Sequence, residues 1–373
     1  VETKDPDLYP KFTSQYTDQT VAANSVIVVC GDKSKVVSNS DMWETSTNYQ
    51  TYQTQTTGFD GEGQITSAIT YVTSENNPKV YWVTGHGEAS ESDLSTNFSD
   101  AINKNNVEIS DLALMTDDIP EDAEELVIMS PTTDFSEDEA NKVITYLENG
   151  GKLLMFTSYT GTDMPNLDSI LENYGVKRSS GIVVETDSQH YYPQMPYYLL
   201  PNIQSDDITT EVKSNYILMP VAQAIQKLDS YRDTITIKSL LTTTEDAYIE
   251  NDPENSTWSK SADSETGAFD LGVSITETVD DKETQIIYFS SASMLSSQID
   301  QAISGANSKL AATALTSMCD VEQTVVIPSK STSYTNLVFT QGAVNTWSII
   351  TIAGIPLVLV VIGVMIWMKR RKQ

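Results

Sequence analysis

The chain has 373 residues, with 52 Asp and Glu against 22 Lys and Arg and a net charge of −30. So acidic a surface repels nucleic acid and anionic lipid headgroups, which sets nucleic-acid binding aside. Two cysteines are too few for a disulfide-stapled scaffold, two histidines exclude a His-rich metal centre, and the length suffices for a self-supporting core in one or two domains.

Val1 is not an initiator methionine and no signal peptide precedes it, so the natural chain is expected to begin further upstream. The first stretch, to Thr57, is polar and rich in Thr and Tyr. Within it, Val26–Cys30 and Lys35–Val37 flank a Gly-containing turn and read as a hairpin. From Phe59 the pattern changes. Asp60 is placed to cap a helix to Ser74, with Ile65, Ala68, Ile69 and Val72 on one face. A strand over Lys79–Thr84, a helix near Ser92–Asn105 and a strand near Val107–Leu114 follow. Beyond an acidic loop, Asp117–Glu125, Leu126–Met129 reads as a short buried strand. Ser136 and Glu139 form a capping box for a helix to Asn149; Lys152–Thr157 is the next strand and Met164–Tyr174 the next helix. Alternating strands and helices with short connections predict parallel βαβ units, hence a doubly wound α/β layer.

After Lys177 the pattern weakens. His190–Pro201 reads as irregular, and 250–268 as a mobile polar loop. Phe269–Ile275 and Gln285–Phe289 read as strands, and Ile299–Met318 as a helix broken near Gly305. A segment over 321–334 is expected to lead back along the domain.

The run from Trp347 to Met368 carries no charge and holds twelve Ile, Leu and Val. As a helix it is roughly 33 Å long, enough to cross a hydrocarbon core of about 30 Å. Trp347 and Trp367 stand at its ends, where indoles favour the headgroup region, and Pro356 is a candidate kink. Lys369, Arg370, Arg371 and Lys372 follow, and positive charge beside a span tends to remain in the cytoplasm. With those four cations set aside, the remainder carries −34 and is expected outside the cell. A tail-anchored protein with a cytosolic body is the competing orientation.

Several motifs carry candidate chemistry. Gly85-His86-Gly87-Glu88 directly follows a strand, where α/β sheets place ligand sites. His86 could act as a base or ligand with Glu88 as partner; the plainer reading is a tight strand-exit turn whose imidazole bonds to backbone. Ser130 and Thr132, after the next buried strand, point to the same sheet edge and read equally as a turn. Gly58–Gly63 lacks the Lys-Ser/Thr of a phosphate loop and is better read as a helix start. Asp117–Glu125 holds six carboxylates in nine residues without the ligand order of a calcium loop. Tyr191, Tyr192, Tyr197 and Tyr198 form either a binding surface or the packing of a loop. Cys30 and Cys319 match no metal or redox spacing and read as isolated buried thiols, with a disulfide as the alternative. No cofactor is implied.

Three stretches together resemble the Gldg family, the gliding-motility-type auxiliary subunits of ABC transporters. They are Thr57 to Val72, Lys79 through Gly85-His-Gly-Glu88, and Met129-Ser-Pro-Thr-Thr-Asp-Phe135 with Tyr146 to Leu154. The likeness is strongest from Asp5 to Ser158, and the C-terminal span fits it. It implies an extracytoplasmic α/β domain like that of class I glutamine amidotransferases over 58–334, preceded by the end of a thioredoxin-like region over 1–57. A linker over 335–346, a membrane helix over 347–368 and a basic cytoplasmic tail over 369–373 complete the layout. An amidotransferase needs a cysteine nucleophile on a strand-to-helix elbow, and neither cysteine occupies one, so no catalytic residue carries over. The implied partners are the transporter permease, through it the ATPase, and membrane lipid. One span cannot form a translocation path, and without a phosphate loop the chain cannot drive one. The leading expectation is therefore a non-catalytic accessory subunit whose outer domain binds a ligand, an envelope component or a partner. A membrane-anchored hydrolase using His86 and Glu88, and a cell-surface adhesive or carbohydrate-binding domain using the tyrosines, are the alternatives.

Overall fold

Strands with every side chain buried read as unbroken apolar runs and belong in the middle of a covered sheet. Leu126-Val-Ile-Met129 and Leu153-Leu-Met-Phe156 are such runs, with each residue at 0% exposure. The computed structural model, which describes residues 2–5, 8–18, 20–48, 53–74, 77–253, 257–319, 327, 330–331 and 339–371, places them there.

Near the N-terminus, the single turn α1 (Pro10–Thr13) precedes an antiparallel hairpin, β1 (Val26–Cys30) with β2 (Lys33–Val37), closed by the two-residue turn Gly31-Asp32. Next come β3 (Trp43–Asn48), β4 (Gln53–Phe59) and α2 (Gly61–Thr73). The hairpin packs on α2. Lys35 of β2 donates to the Asn103 carbonyl at 3.1 Å and lies over the Tyr71 ring. Burial pulls its ammonium down to about 8.

The parallel half then follows: β5 (Lys79–Val83), α3 (Thr96–Lys104), β6 (Glu108–Leu112), β7 (Glu125–Met129), α4 (Glu137–Glu148), β8 (Lys152–Phe156) and α5 (Pro165–Asn173). The antiparallel half holds β9 (Val176–Val184), β10 (Tyr191–Tyr192), β11 (Met195–Leu199), β12 (Asn202–Ile203), β13 (Met219–Pro220), β14 (Gln223–Lys227), β15 (Ile235–Thr242), β16 (Tyr248–Glu250), β17 (Asp270–Val279) and β18 (Lys282–Phe289). After these come α6 (Ser297–Ala302), α7 (Ala306–Met318) and β19 (Lys330–Ser331), which pairs with β4.

One 11-stranded mixed sheet dominates, in the order β16-β9-β14-β17-β18-β8-β7-β5-β6, with β15 and β12 branching from β17. The run β18-β8-β7-β5-β6 is parallel. Numbered by chain order, those five strands lie 2-1-3-4-5, so the winding reverses between β5 and β7. Residues alternate between the two faces, as the pleat requires. Val80, Trp82, Val127, Met129, Leu154 and Phe156 pack toward α3 and α7, whereas Leu126, Ile128, Leu153, Met155 and Tyr288 pack toward α4 and α5.

The predicted strands and helices up to Tyr174 are present at close to the expected bounds, as are the two late strands and the helix pair broken at Gly305. The region after Lys177 departs from expectation: it continues the sheet, and His190–Pro201 contains the β10–β11 hairpin. These strands pair across long sequence gaps and through bulges, at Gln223/Ile225 and Ser239/Leu241, which erase a clean period of two. Cys30, expected buried, is exposed, while Cys319 is buried; both are free thiols. The return segment over 321–334 lies outside the described residues except for Ile327, Lys330 and Ser331.

At the C-terminus α8 (Gln341–Ile349), a π-helical turn (Ile350–Gly354) and α9 (Ile355–Arg371) form one continuous helix of 31 residues, apolar enough to cross a membrane and with its apolar window unburied. The π turn ends two residues before Pro356. A proline lacks the N–H for an i−4 bond and its ring crowds that carbonyl, and a wider turn relieves both.

Candidate functional site

The parallel pairing of β5 with β7 brings the exit turn of one beside the exit turn of the other, at the carboxyl edge of the sheet. The stitching continues beyond the strands. Thr84 donates its N–H to the Leu112 carbonyl, Ala89 to that of Met129 at 3.0 Å, and Ser130 to that of Phe156 at 2.8 Å. Between them the chain makes the turn Gly85–Glu88. The His86 carbonyl is its anchor: it accepts the backbone N–H of Thr132 at 2.9 Å and of Thr133 at 3.1 Å, and both threonine hydroxyls at 3.2 Å. Gly87 has φ +78°, and a Cβ there would collide with the Thr132 hydroxyl, so a side chain is excluded on both counts.

The imidazole of His86 lies beneath this turn, 4% exposed, against the Phe135 ring at 4.2 Å between centroids. Its Nδ1 is 3.1 Å from Glu88 Oε1 and its Nε2 is 3.2 Å from Glu139. Glu88 is further held by the His86 backbone N–H, which donates to its Oε2 at 2.7 Å. Glu139 occupies the third position of α4 and closes the capping box, accepting from the Ser136 N–H at 2.9 Å and the Ser136 hydroxyl at 2.7 Å. Burial pushes the Glu139 carboxyl up, but the Ser136 hydrogen bonds and the imidazole outweigh it and leave it below the ordinary value. Both ring nitrogens lie within hydrogen-bonding distance of a carboxyl group, so the imidazole and the two side chains form one buried polar network.

Of the residues singled out in the sequence, Gly85, His86, Gly87, Glu88 and Thr132 come together. Ser130, at φ +53°, turns elsewhere: its hydroxyl donates to that of Ser158 at 2.8 Å, tying the exits of β7 and β8. Gly85, Gly87 and Thr132 form an exposed rim over the buried ring. Neither cysteine reaches this edge. Cys30 ends β1, and Cys319 follows α7 and donates to Glu125 at the opposite end of β7 at 3.3 Å. Glu139 and Ser158 are the members that sequence reading missed. The capping box identified Glu139 as a helix-start residue, but only the fold sets its carboxyl group against His86.

The fold and this edge define a mixed α/β domain whose strand-exit turns meet at the strand-order reversal, joined in one chain to a membrane-length helix. Residues 77–317, well over half of the chain, match the family described as an ABC-type uncharacterized transport system, and the chain belongs to that family of auxiliary transport components. No curated protein matches significantly. Among solved structures the chain is similar to the mmIFT52 N-terminal domain, at 15% identity and TM-score 0.47 over 64% of this chain and 96% of that one. It is also similar to a ThuA-like protein from Parabacteroides merdae (13%, TM-score 0.35, 71% and 99%) and to an exo-β-1,4-mannosidase from an Opitutaceae bacterium (10%, TM-score 0.33, 68% and 37%).

Proposed function

We propose that this chain is a non-catalytic accessory subunit of a bacterial ABC transporter of the gliding-motility type, in which the α9 span tethers an extracytoplasmic domain beside the permease. The observation that carries the reading is the continuity of a transport-family domain with a 31-residue apolar helix whose membrane window is entirely unburied. A single span can associate with a permease but cannot enclose a path. Lys369, Arg370 and Arg371 form the last turn of α9, which favours a cytoplasmic C-terminus and leaves the acidic bulk outside.

The outer domain binds its ligand or partner at the carboxyl edge where β5 and β7 exit, where doubly wound sheets place ligands. Gly85, Gly87 and Thr132 present backbone groups and a hydroxyl there, while His86 and Glu88 hold the turn from below. Both imidazole nitrogens being committed to carboxylates supports a positioning role. We read the domain as a glutamine-amidotransferase-like fold used without its nucleophile, and the β1–β2 hairpin as the end of a thioredoxin-like region.

Mild-detergent extraction from native membranes tests this. A permease and an ATPase should co-purify with the full chain, and protease added to intact cells should remove its bulk. Failure to recover either partner under several detergents overturns the reading.

A further inference from the structure

The segment 335–346 reads as a linker in sequence, yet the helix start is fastened to the α/β domain. Thr340, 4% exposed, caps α8 and donates its hydroxyl to Gln189 Oε1 at 3.0 Å. The Gly342 N–H donates to the Ser188 carbonyl at 2.6 Å, and Gln341 Oε1 accepts the Gln194 N–H at 2.9 Å. A Cβ on Gly342 would meet the Gln189 amide, so the helix start and that side chain are in close contact. Gln194 is the turn of the β10–β11 hairpin, which the Glu185 N–H holds through the Pro196 carbonyl at 2.9 Å.

The composition of this docking element is unusual for the chain. From Ser188 to Ser205 there is no Asp, Glu, Lys or Arg, in a protein that is 20% charged and carries −30. In their place stand Tyr191, Tyr192, Tyr197 and Tyr198, each partly exposed, Met195 at 38% exposure, and Trp258, whose ring lies 4.4 Å from that of Tyr197. Tyrosine and tryptophan partition to the headgroup level of a bilayer, where an apolar ring meets a polar tip. A strongly acidic surface would be repelled from anionic lipid; a neutral aromatic one is not. The span is also short: from Gln341 to Trp347 is about 9 Å along a helix axis.

We propose that the β10–β11 hairpin, with Trp258 beside it, rests on the headgroup layer of the bilayer and fixes the outer domain against the membrane at the root of its helix. The proposal rests on the membrane-anchor reading above and adds an interfacial surface to it. The domain then cannot swivel on a loose stalk: α8 leaves the hairpin directly, and movement of the domain is passed to the span.

The full-length chain, in a Cys30→Ser background and reconstituted in lipid nanodiscs, tests this with an environment-sensitive fluorophore at one introduced cysteine. Met195→Cys reports the hairpin tip, Ile352→Cys the span, and Met115→Cys, 70% exposed beyond β6 at the other edge of the sheet, serves as the control. The label at position 195 should be quenched by headgroup-spin-labelled lipid, that at 352 by acyl-chain-labelled lipid, and that at 115 by neither. Quenching at 352 with none at 195 overturns the hairpin contact and leaves the anchor standing. Absence of quenching at 352 overturns the anchor and the contact together.

Discussion

Replacing His86 by alanine separates a ring that holds the turn from one that performs chemistry. The imidazole sits within 3.2 Å of two carboxylates whose side chains, like its own, are at most 5% exposed. Without it, the buried Glu88 and Glu139 side chains lose the group between them. Each keeps its backbone donor, from His86 and Ser136 respectively, but the shared imidazole is gone. Leaving a buried carboxyl without its partner costs about 1–3 kcal/mol on each side, and the lost contact with Phe135 adds about 1 kcal/mol. At roughly 2–4 °C per kcal/mol for a domain of this size, the melting temperature should fall by about 10–20 °C. Circular dichroism or calorimetry of the detergent-solubilised full chain reads this directly. Adding Glu139→Gln to His86→Ala should recover part of the loss by removing one of the two stranded charges. A drop of less than about 3 °C, together with lost ligand binding or lost activity, would refute the reasoning and return His86 to the role of a base.

Three further outcomes follow from other buried charges. Arg232 donates twice to Glu277, at 2.8 and 2.7 Å, and holds that carboxyl below its ordinary value. Because Arg232 is 41% exposed, Arg232→Ala should cost only about 2 kcal/mol near neutral pH. A depressed carboxyl stabilises above its unfolded value, so the gap between wild type and variant should close as pH falls below 4.5 in parallel melts. Glu125 is fully buried, and burial raises its carboxyl well above 4.5. Its contribution is present below pH 4.5 and lost as pH climbs through the raised value, so Glu125→Gln should gain on wild type in denaturant titrations from acid toward neutral pH. Asp300, also at 0% exposure, accepts from Ser95, from Asn97 and twice from Ser308, joining the starts of α3 and α7. Asp300→Ala strands those donors and should lower stability by about 3 kcal/mol in a urea titration.

The C-terminal helix of membrane length was legible in sequence because a long uninterrupted apolar run is a local signal. The parallel half was legible for a related reason: unbroken apolar strands, capping boxes such as Ser136 with Glu139, and helical periodicity are all local signals. They also put Gly85–Glu88 at a strand exit. The antiparallel half was legible only in its last two strands, β17 and β18. β9 finds β14 some way down the chain, and β15 joins β17 through bulges, so its pattern exists only once the partners have met. The same holds for the meeting of His86 with Glu139, and of Thr340 with Gln189, since each joins distant parts of the chain. Local periodicity and composition thus determined the long apolar helix and the parallel layer from sequence, whereas long-range pairing in the tertiary structure decided how the imidazole is held and where the helix is rooted.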